Sequence, residues 1–153
     1  MKALLQALDA CGIRLPQAPQ PVGNYRAISQ TGNLLFVAGQ LPIKNGKLIY
    51  QGKIGTTLTI EQGQAAAELC ALNILSQLTT IPYPFRYRRI VKLEGFIHCP
   101  EGFTEHARVL DGASNLFARL DKDMTGHVRS VLGCNSLPLD AALEIAAIIA
   151  IDP

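Results

Sequence analysis

The segment LEIAAIIAI, Leu143 to Ile151, limits the fold more tightly than any other part of the chain. Strand side chains alternate between two faces; Leu143, Ile145, Ala147, Ile149 and Ile151 fall on one, and Ala146, Ile148 and Ala150 on the other. A strand apolar on both faces belongs inside a sheet buried on both sides. The segment is shorter than the roughly 18 apolar residues of a membrane span. It also carries Glu144 on its second face. An ionised carboxylate there needs a partner or a purpose: burial raises its pKa, whereas a cation or hydrogen-bond donors lower it. The position could therefore supply a tunable acid or base.

A second charge sits in the strand-like GHVRSVLGC just upstream, where Arg129 shares a face with Val131 and the bare backbone of Gly133. The plain alternative for Arg129 is a surface residue at a strand end, since arginine is mostly exposed.

The 153 residues suit one domain, expected over residues 1–153, with residues 1–13 (MKALLQALDACGI) as a short amphipathic helix. That helix has neither the apolar core nor the cleavage site of a signal peptide. Charged residues make up 17% of the chain against about 25% in an average soluble domain, so part of the apolar surface is expected to meet another subunit. The four cysteines are far apart and form no CxxC pair, which fits a reduced cytoplasm. A formal net charge of +2 gives no general case for nucleic acid.

Further pattern yields two helices and several strands. NLLFVAGQ and YRAIS read as strands, and Asn45-Gly46 as a hairpin turn, because both residues tolerate positive φ. Thr59 and Gln62 form a capping box for the helix TIEQGQAAAELCALNILSQL, and IVKLEGFIHC reads as a strand. A second helix places Val109, Ala113, Leu116, Phe117 and Leu120 on one side. The order implies an α+β fold, a mixed sheet with two helices packed on one face.

Other chemistries lack their patterns. GKLIYQGKIGTT misses phosphate-loop spacing, with Ile54 where Ser or Thr should follow the lysine. The scattered histidines provide no metal-ligand spacing, and neither a GxSxG elbow nor a cysteine-nucleophile signature is present. YPFRYRRIVK interleaves Arg86, Arg88, Arg89 and Lys92 with Tyr83, Phe85 and Tyr87, a mixture suited to unpaired bases. One short patch in a near-neutral chain neutralises few phosphates, so it is read instead as a solvated loop leading into an edge strand.

VRSVLGCNSLPLDAALEIAAI and GNLLFVAGQLPI resemble the C-terminal and N-terminal motifs of the RidA/YjgF family of imine deaminases, over about Tyr25 to Ile151. HARVLDGAS resembles a longer subgroup of that family. The resemblance implies a chorismate-mutase-like fold and a homotrimer with sheets around a central barrel and ligand clefts between subunits. It implies that Arg129 holds a substrate carboxylate and Glu144 lies near the attacking water. Tyr25 would help close the cleft, with the Gly39 and Val131 backbones lining it and Asp111 beside the substrate. The implied reaction is hydrolysis of an enamine or imine such as 2-aminoacrylate to a 2-oxo acid and ammonia, with no cofactor or metal.

This chain departs from the family pattern at Ala38, Val131, Ala146 and Leu110, which replace a serine, a cysteine, an acid and an asparagine common among those enzymes. A small carboxylate-binding or regulatory trimer without efficient turnover is therefore the alternative function. An RNA-directed endoribonuclease activity would rest on YPFRYRR. No membrane or nucleic-acid partner is expected.

Overall fold

Thr59 starts the longest helix of the computed structural model, which describes residues 1–120 and 126–152. Its hydroxyl accepts from the Gln62 amide at 3.1 Å, and the Gln62 side chain accepts from the Thr59 amide at 2.9 Å, completing the capping box. The helix that follows, α2 (Ile60–Leu78), buries Ala66, Ala67, Cys70, Ala71, Ile74, Leu75 and Leu78 completely. Beside it runs α3 (His106–Leu120), and a short α1 (Lys2–Ala10) packs Leu4 and Leu8 into the same core.

The helices cover one face of a mixed sheet. Its strands are β1 (Ile28–Thr31), β2 (Leu34–Gln40), β5 (Arg86–His98), β6 (Val128–Cys134) and β7 (Leu143–Asp152). A separate hairpin of β3 (Ile43–Lys44) and β4 (Lys47–Leu48) lies between β2 and α2 in the chain. The spatial order is β1-β2-β7-β5-β6, with β5 and β6 parallel and the other neighbours antiparallel. As its apolar pattern requires, β7 is central. The α+β expectation therefore holds, with α1 as a third helix.

In the hairpin, Asn45 and Gly46 take φ of 53° and 74°, as the turn demands. In α3, Gly112 has a packing role. A Cβ there would stand 2.0 Å from the Gln64 carbonyl oxygen of α2, so only glycine permits this helix–helix distance.

The two faces of the sheet differ. Toward the helices stand Leu35, Val37, Leu93, Ile97, Leu143, Ile145, Ala147 and Ile149, all buried. Each fully buried aliphatic side chain contributes roughly 1.5–3 kcal/mol of transfer free energy. On the other face Phe36, Val128 and Leu132 are exposed, and Phe96, Ala146, Ile148 and Ala150 are half-buried. The expectation that β7 is buried on both sides thus fails within one chain: its second face is apolar yet uncovered.

Two further expectations need correction. Tyr25 lies in the bend before β1, which begins only at Ile28, because the proline-rich run keeps the chain out of the ladder until then. The strand predicted at IVKLEGFIHC extends back to Arg86, so YPFRYRR enters an interior strand flanked by β7 and, from Lys92, by β6. Register shifts at Tyr87/Arg89 and Ile90/Lys92 let that charged stretch continue the ladder. Among the described residues no helix is long and apolar enough to cross a membrane.

Candidate functional site

Register fixes where Arg129 points. On β6 it lies beside Leu93 of β5, which in turn lies beside Ala147 of β7; both neighbours are buried under the helices. Arg129 therefore faces α3, whose Asp111 and Ser114, three residues apart, project from one side of the helix. The Arg129 Nη1 donates to Asp111 Oδ1 at 2.8 Å and to Ser114 Oγ at 3.0 Å. With side-chain exposures of 27% and 42%, the Arg129–Asp111 ion pair contributes at most about 1 kcal/mol; its larger effect is to orient the guanidinium.

The arrangement extends to His127, whose Nε2 lies 2.9 Å from Ser114 Oγ and whose ring meets Phe117 edge-on. Arg129, Asp111 and Ser114 border a cavity of about 470 Å³ walled by Tyr87, Ile90 and Phe117. It combines an oriented cation with an apolar wall, a setting for a carboxylate with an attached organic group.

Leu110, in the position where the family often has asparagine, is fully buried in the core, and it is Asp111 that turns toward Arg129. Val131 shares Arg129's face but packs against the core, beside Gly95, where the Leu110 side chain leaves no room for a Cβ.

Glu144 stands elsewhere. Its partner on β5 is Phe96, and it is an odd number of residues from Ala147, so it projects from the uncovered face, opposite Arg129. Between Val37 and Gln40 the ladder with β7 shifts register, and Ala38 and Gly39 together oppose Ala146. This irregularity opens space for the Glu144 side chain. A Cβ on Gly39 would lie 1.9 Å from Glu144 Oε1, so the carboxylate occupies the place of a residue-39 side chain. Burial raises the Glu144 carboxyl above its ordinary value. No ion pair reaches it among the described residues.

Tyr25, 54% exposed, borders a small cavity of about 50 Å³ with Gly39, Gln40 and Gln77. The predicted residues thus fall into two groups. Arg129 and Asp111 meet on the helix-covered side, with Val131 nearby in the core; Tyr25, Gly39 and Glu144 cluster on the β2 side. A single chain does not join them.

Sequence reading missed Ser114 and His127. Their signals were present: His127 and Arg129 alternate onto one strand face, and Asp111 and Ser114 are spaced i, i+3 on a helix. Only the tertiary packing of α3 on β6 shows that the two pairs converge.

In the aromatic-basic stretch, Arg88 lies 3.5 Å from Asp152 and Lys92 2.6 Å from Glu94, while Arg89 donates to the Gly126 carbonyl at 3.3 Å. Phe85 is buried, Tyr87 lines the Arg129 cavity, and Tyr83 donates to Gln30. The three aromatics therefore do not form one stacking platform. No cluster of three or more metal-ligating side chains occurs among the described residues.

A family profile described as "YjgF/chorismate_mutase-like, putative endoribonuclease" matches residues 6–150. Protein TCP17 of Trypanosoma cruzi is 38% identical over 144 residues, covering 93% of this chain and 90% of its own. The crystal structure of Atu1372 from Agrobacterium tumefaciens, a protein of unknown function, is similar with a TM-score of 0.86 at 38% identity, over 99% of this chain and 94% of that one. A Shewanella oneidensis protein named "putative endoribonuclease" gives 0.89 at 32% identity, over 96% and 98% of the two chains. With the GQLP and RSV…LP…EI motifs set on this sheet, these matches establish that the chain belongs to the RidA/YjgF family and has its chorismate-mutase-like fold.

Proposed function

We propose that this protein hydrolyses enamine or imine intermediates of 2-oxo acids, such as 2-aminoacrylate, to the oxo acid and ammonia. The observation that carries this reading is Arg129, a half-buried guanidinium held by Asp111 and Ser114 at the rim of a cavity. Its planar fork suits a paired grip on the substrate carboxylate, which a lysine would reproduce poorly.

The enamine first takes a proton at carbon to become the imine, whose carbon is electrophilic. Water adds to that carbon, and its released proton passes to a base. Proton transfer to nitrogen then lets ammonia leave as the C=O bond forms. Glu144 is the candidate base: a carboxylate made more basic by burial takes a proton from water more readily than an exposed one. Neither a metal nor a covalent cofactor is needed for this sequence of steps.

In this reading the Arg129 half of one subunit and the Glu144, Gly39 and Tyr25 half of another form each cleft, in a homotrimer. Two features support the assembly: the uncovered apolar face of the sheet, and the separation of the two charges on opposite faces. Asp111 on the Arg129 fork favours a second reading, a small carboxylate-binding or regulatory trimer in which the arginine is kept and turnover is slow. Nucleic-acid cleavage, the activity in some relatives' names, is not favoured, because Arg88 pairs with Asp152, Arg89 donates to the Gly126 carbonyl, and Lys92 just beyond that stretch pairs with Glu94.

The test is ammonia release from 2-aminoacrylate generated in situ. Arg129→Ala is expected to lower it at least about thirty-fold, since removing one member of a desolvated charge contact costs about 2–5 kcal/mol. Arg129→Lys should lose most activity as well. Glu144→Gln should keep carboxylate binding and lose turnover. Measurable carboxylate binding with no turnover in the unmodified protein selects the second reading, and full activity in Arg129→Ala refutes the site.

A further inference from the structure

Another group of reactive side chains lies apart from both halves of that site, at the carboxyl ends of β5 and β6. Cys99 follows β5, and its Sγ lies 3.7 Å from Nε2 of His106, the first residue of α3. Phe103 meets the His106 ring edge-on at a centroid distance of 5.1 Å, which steadies the imidazole. Both Cys99 and His106 border a surface cleft of about 600 Å³ shared with Glu101, Phe103, Cys134 and Asn135.

Cys99 itself retains only 4% exposure, so access to the sulfur depends on the cleft wall. Gly133 forms that wall. A Cβ on Gly133 would stand 2.8 Å from Cys99 Sγ and 2.7 Å from His106 Nε2. A side chain there would collide with both atoms, which border the cleft beside this glycine. Its φ is not among the positive values, so the close approach of these two atoms, not a turn requirement, is what calls for glycine here.

The resting form of the sulfur follows from its surroundings. Burial pushes the Cys99 thiol up, and the neighbouring Cys134 adds to this, while a hydrogen bond from the Cys134 backbone and the charge of Lys53 oppose it. A protonated thiol is a poor nucleophile until a base takes its proton, and His106 Nε2 is within reach to do so.

We propose that Cys99 and His106 form a thiol–imidazole site that captures small α,β-unsaturated carbonyl compounds. As the sulfur forms a bond to the β-carbon, His106 Nε2 takes the thiol proton and the C=C electron pair moves to the carbonyl as an enolate. The imidazolium then returns the proton to the α-carbon. The addition balances without an oxidant, a reductant or a leaving group. Because α3 begins at His106, its unpaired amide groups lie at this end of the cleft and favour the enolate's negative charge. The polarisable sulfur suits this soft carbon electrophile.

The probe is N-ethylmaleimide in limiting amount on the native full chain, followed by peptide mass spectrometry over time. Exposed Cys11 serves as the internal standard, and fully buried Cys70 reports unfolding. Cys99 should be labelled in the folded protein, about tenfold or more slowly in His106→Asn and barely at all in Gly133→Ala, with Cys70 protected throughout. Failure to label Cys99 while Cys11 reacts overturns the proposal. So does an unchanged rate in His106→Asn with Cys70 still protected. If His106→Asn exposes Cys70, Gly133→Ala decides: unaltered Cys99 labelling in that variant is a negative result.

Discussion

Arg129 and Glu144 interrupt similar apolar strands, yet the molecule accommodates them in opposite ways. Arg129 is on the helix-covered face, where Asp111 and Ser114 satisfy its Nη1 and fix its orientation. Glu144 is on the uncovered face, above a glycine, with no ion pair among the described residues and its carboxyl shifted upward by burial. The first charge is positioned by its own chain. The second has no ion pair among the described residues and, in the proposed trimer, would be covered by another copy of the chain. The comparison teaches that a charge in an apolar pattern does not reveal whether its partner is intramolecular.

The strongest way to break this contrast is to mix two inactive variants. If each cleft takes Arg129 from one subunit and Glu144 from another, exchanging subunits between Arg129→Ala and Glu144→Gln assemblies should restore about a quarter of the wild-type ammonia release, from near none. A site contained in one chain would restore nothing, because every chain then carries a lesion. The readout is activity against mixing ratio after dissociation and reassembly.

A second experiment loosens the helix-covered half alone. Gly112→Ala would bring a Cβ to 2.0 Å from the Gln64 carbonyl oxygen. Backbone cannot yield as a flexible side chain can, so α2 and α3 must separate, at a cost of about 3 kcal/mol. Denaturant unfolding should show the loss. The cavity beside Arg129 should widen with it, because Asp111 and Ser114 share that helix.

The smallest effect concerns Glu144 and pH. Its carboxyl is raised in the fold, so its contribution to stability is fully present below the unfolded-state pKa and is lost as pH rises through the folded value. Glu144→Gln removes that dependence. Thermal unfolding of the variant should therefore be less sensitive to pH above the ordinary glutamate range, with the variant favoured toward neutral pH and its advantage vanishing in acid. An unchanged pH profile would show that burial does not disfavour the charge at this position.

Much of the fold was legible because its signals are local. The Thr59 and Gln62 box, the Asn45-Gly46 turn, the central place of LEIAAIIAI and the apolar side of α3 each depend on residues close together in the chain. The extent of β5 was missed because charged residues at 86–92 mask a strand whose ladder passes through two register shifts. The candidate residues could be named from the chain, but their arrangement could not. Arg129 and Glu144 stood out in the apolar pattern and the family resemblance supplied Asp111, Tyr25 and Gly39, but the division of these residues between two faces was in neither.

By itself, then, the sequence determined the helices and most of the strands, that β7 lies inside the sheet, and that two charges stand among apolar side chains. Those outcomes follow from backbone periodicity and capping, which act over a few residues. Tertiary structure alone decided that Ser114 and His127 join Arg129, that Gly39 makes room for Glu144, and that Cys99, His106 and Gly133 meet at one cleft. Each depends on the distance between elements remote in the chain, set by how helices and strands pack rather than by any local pattern.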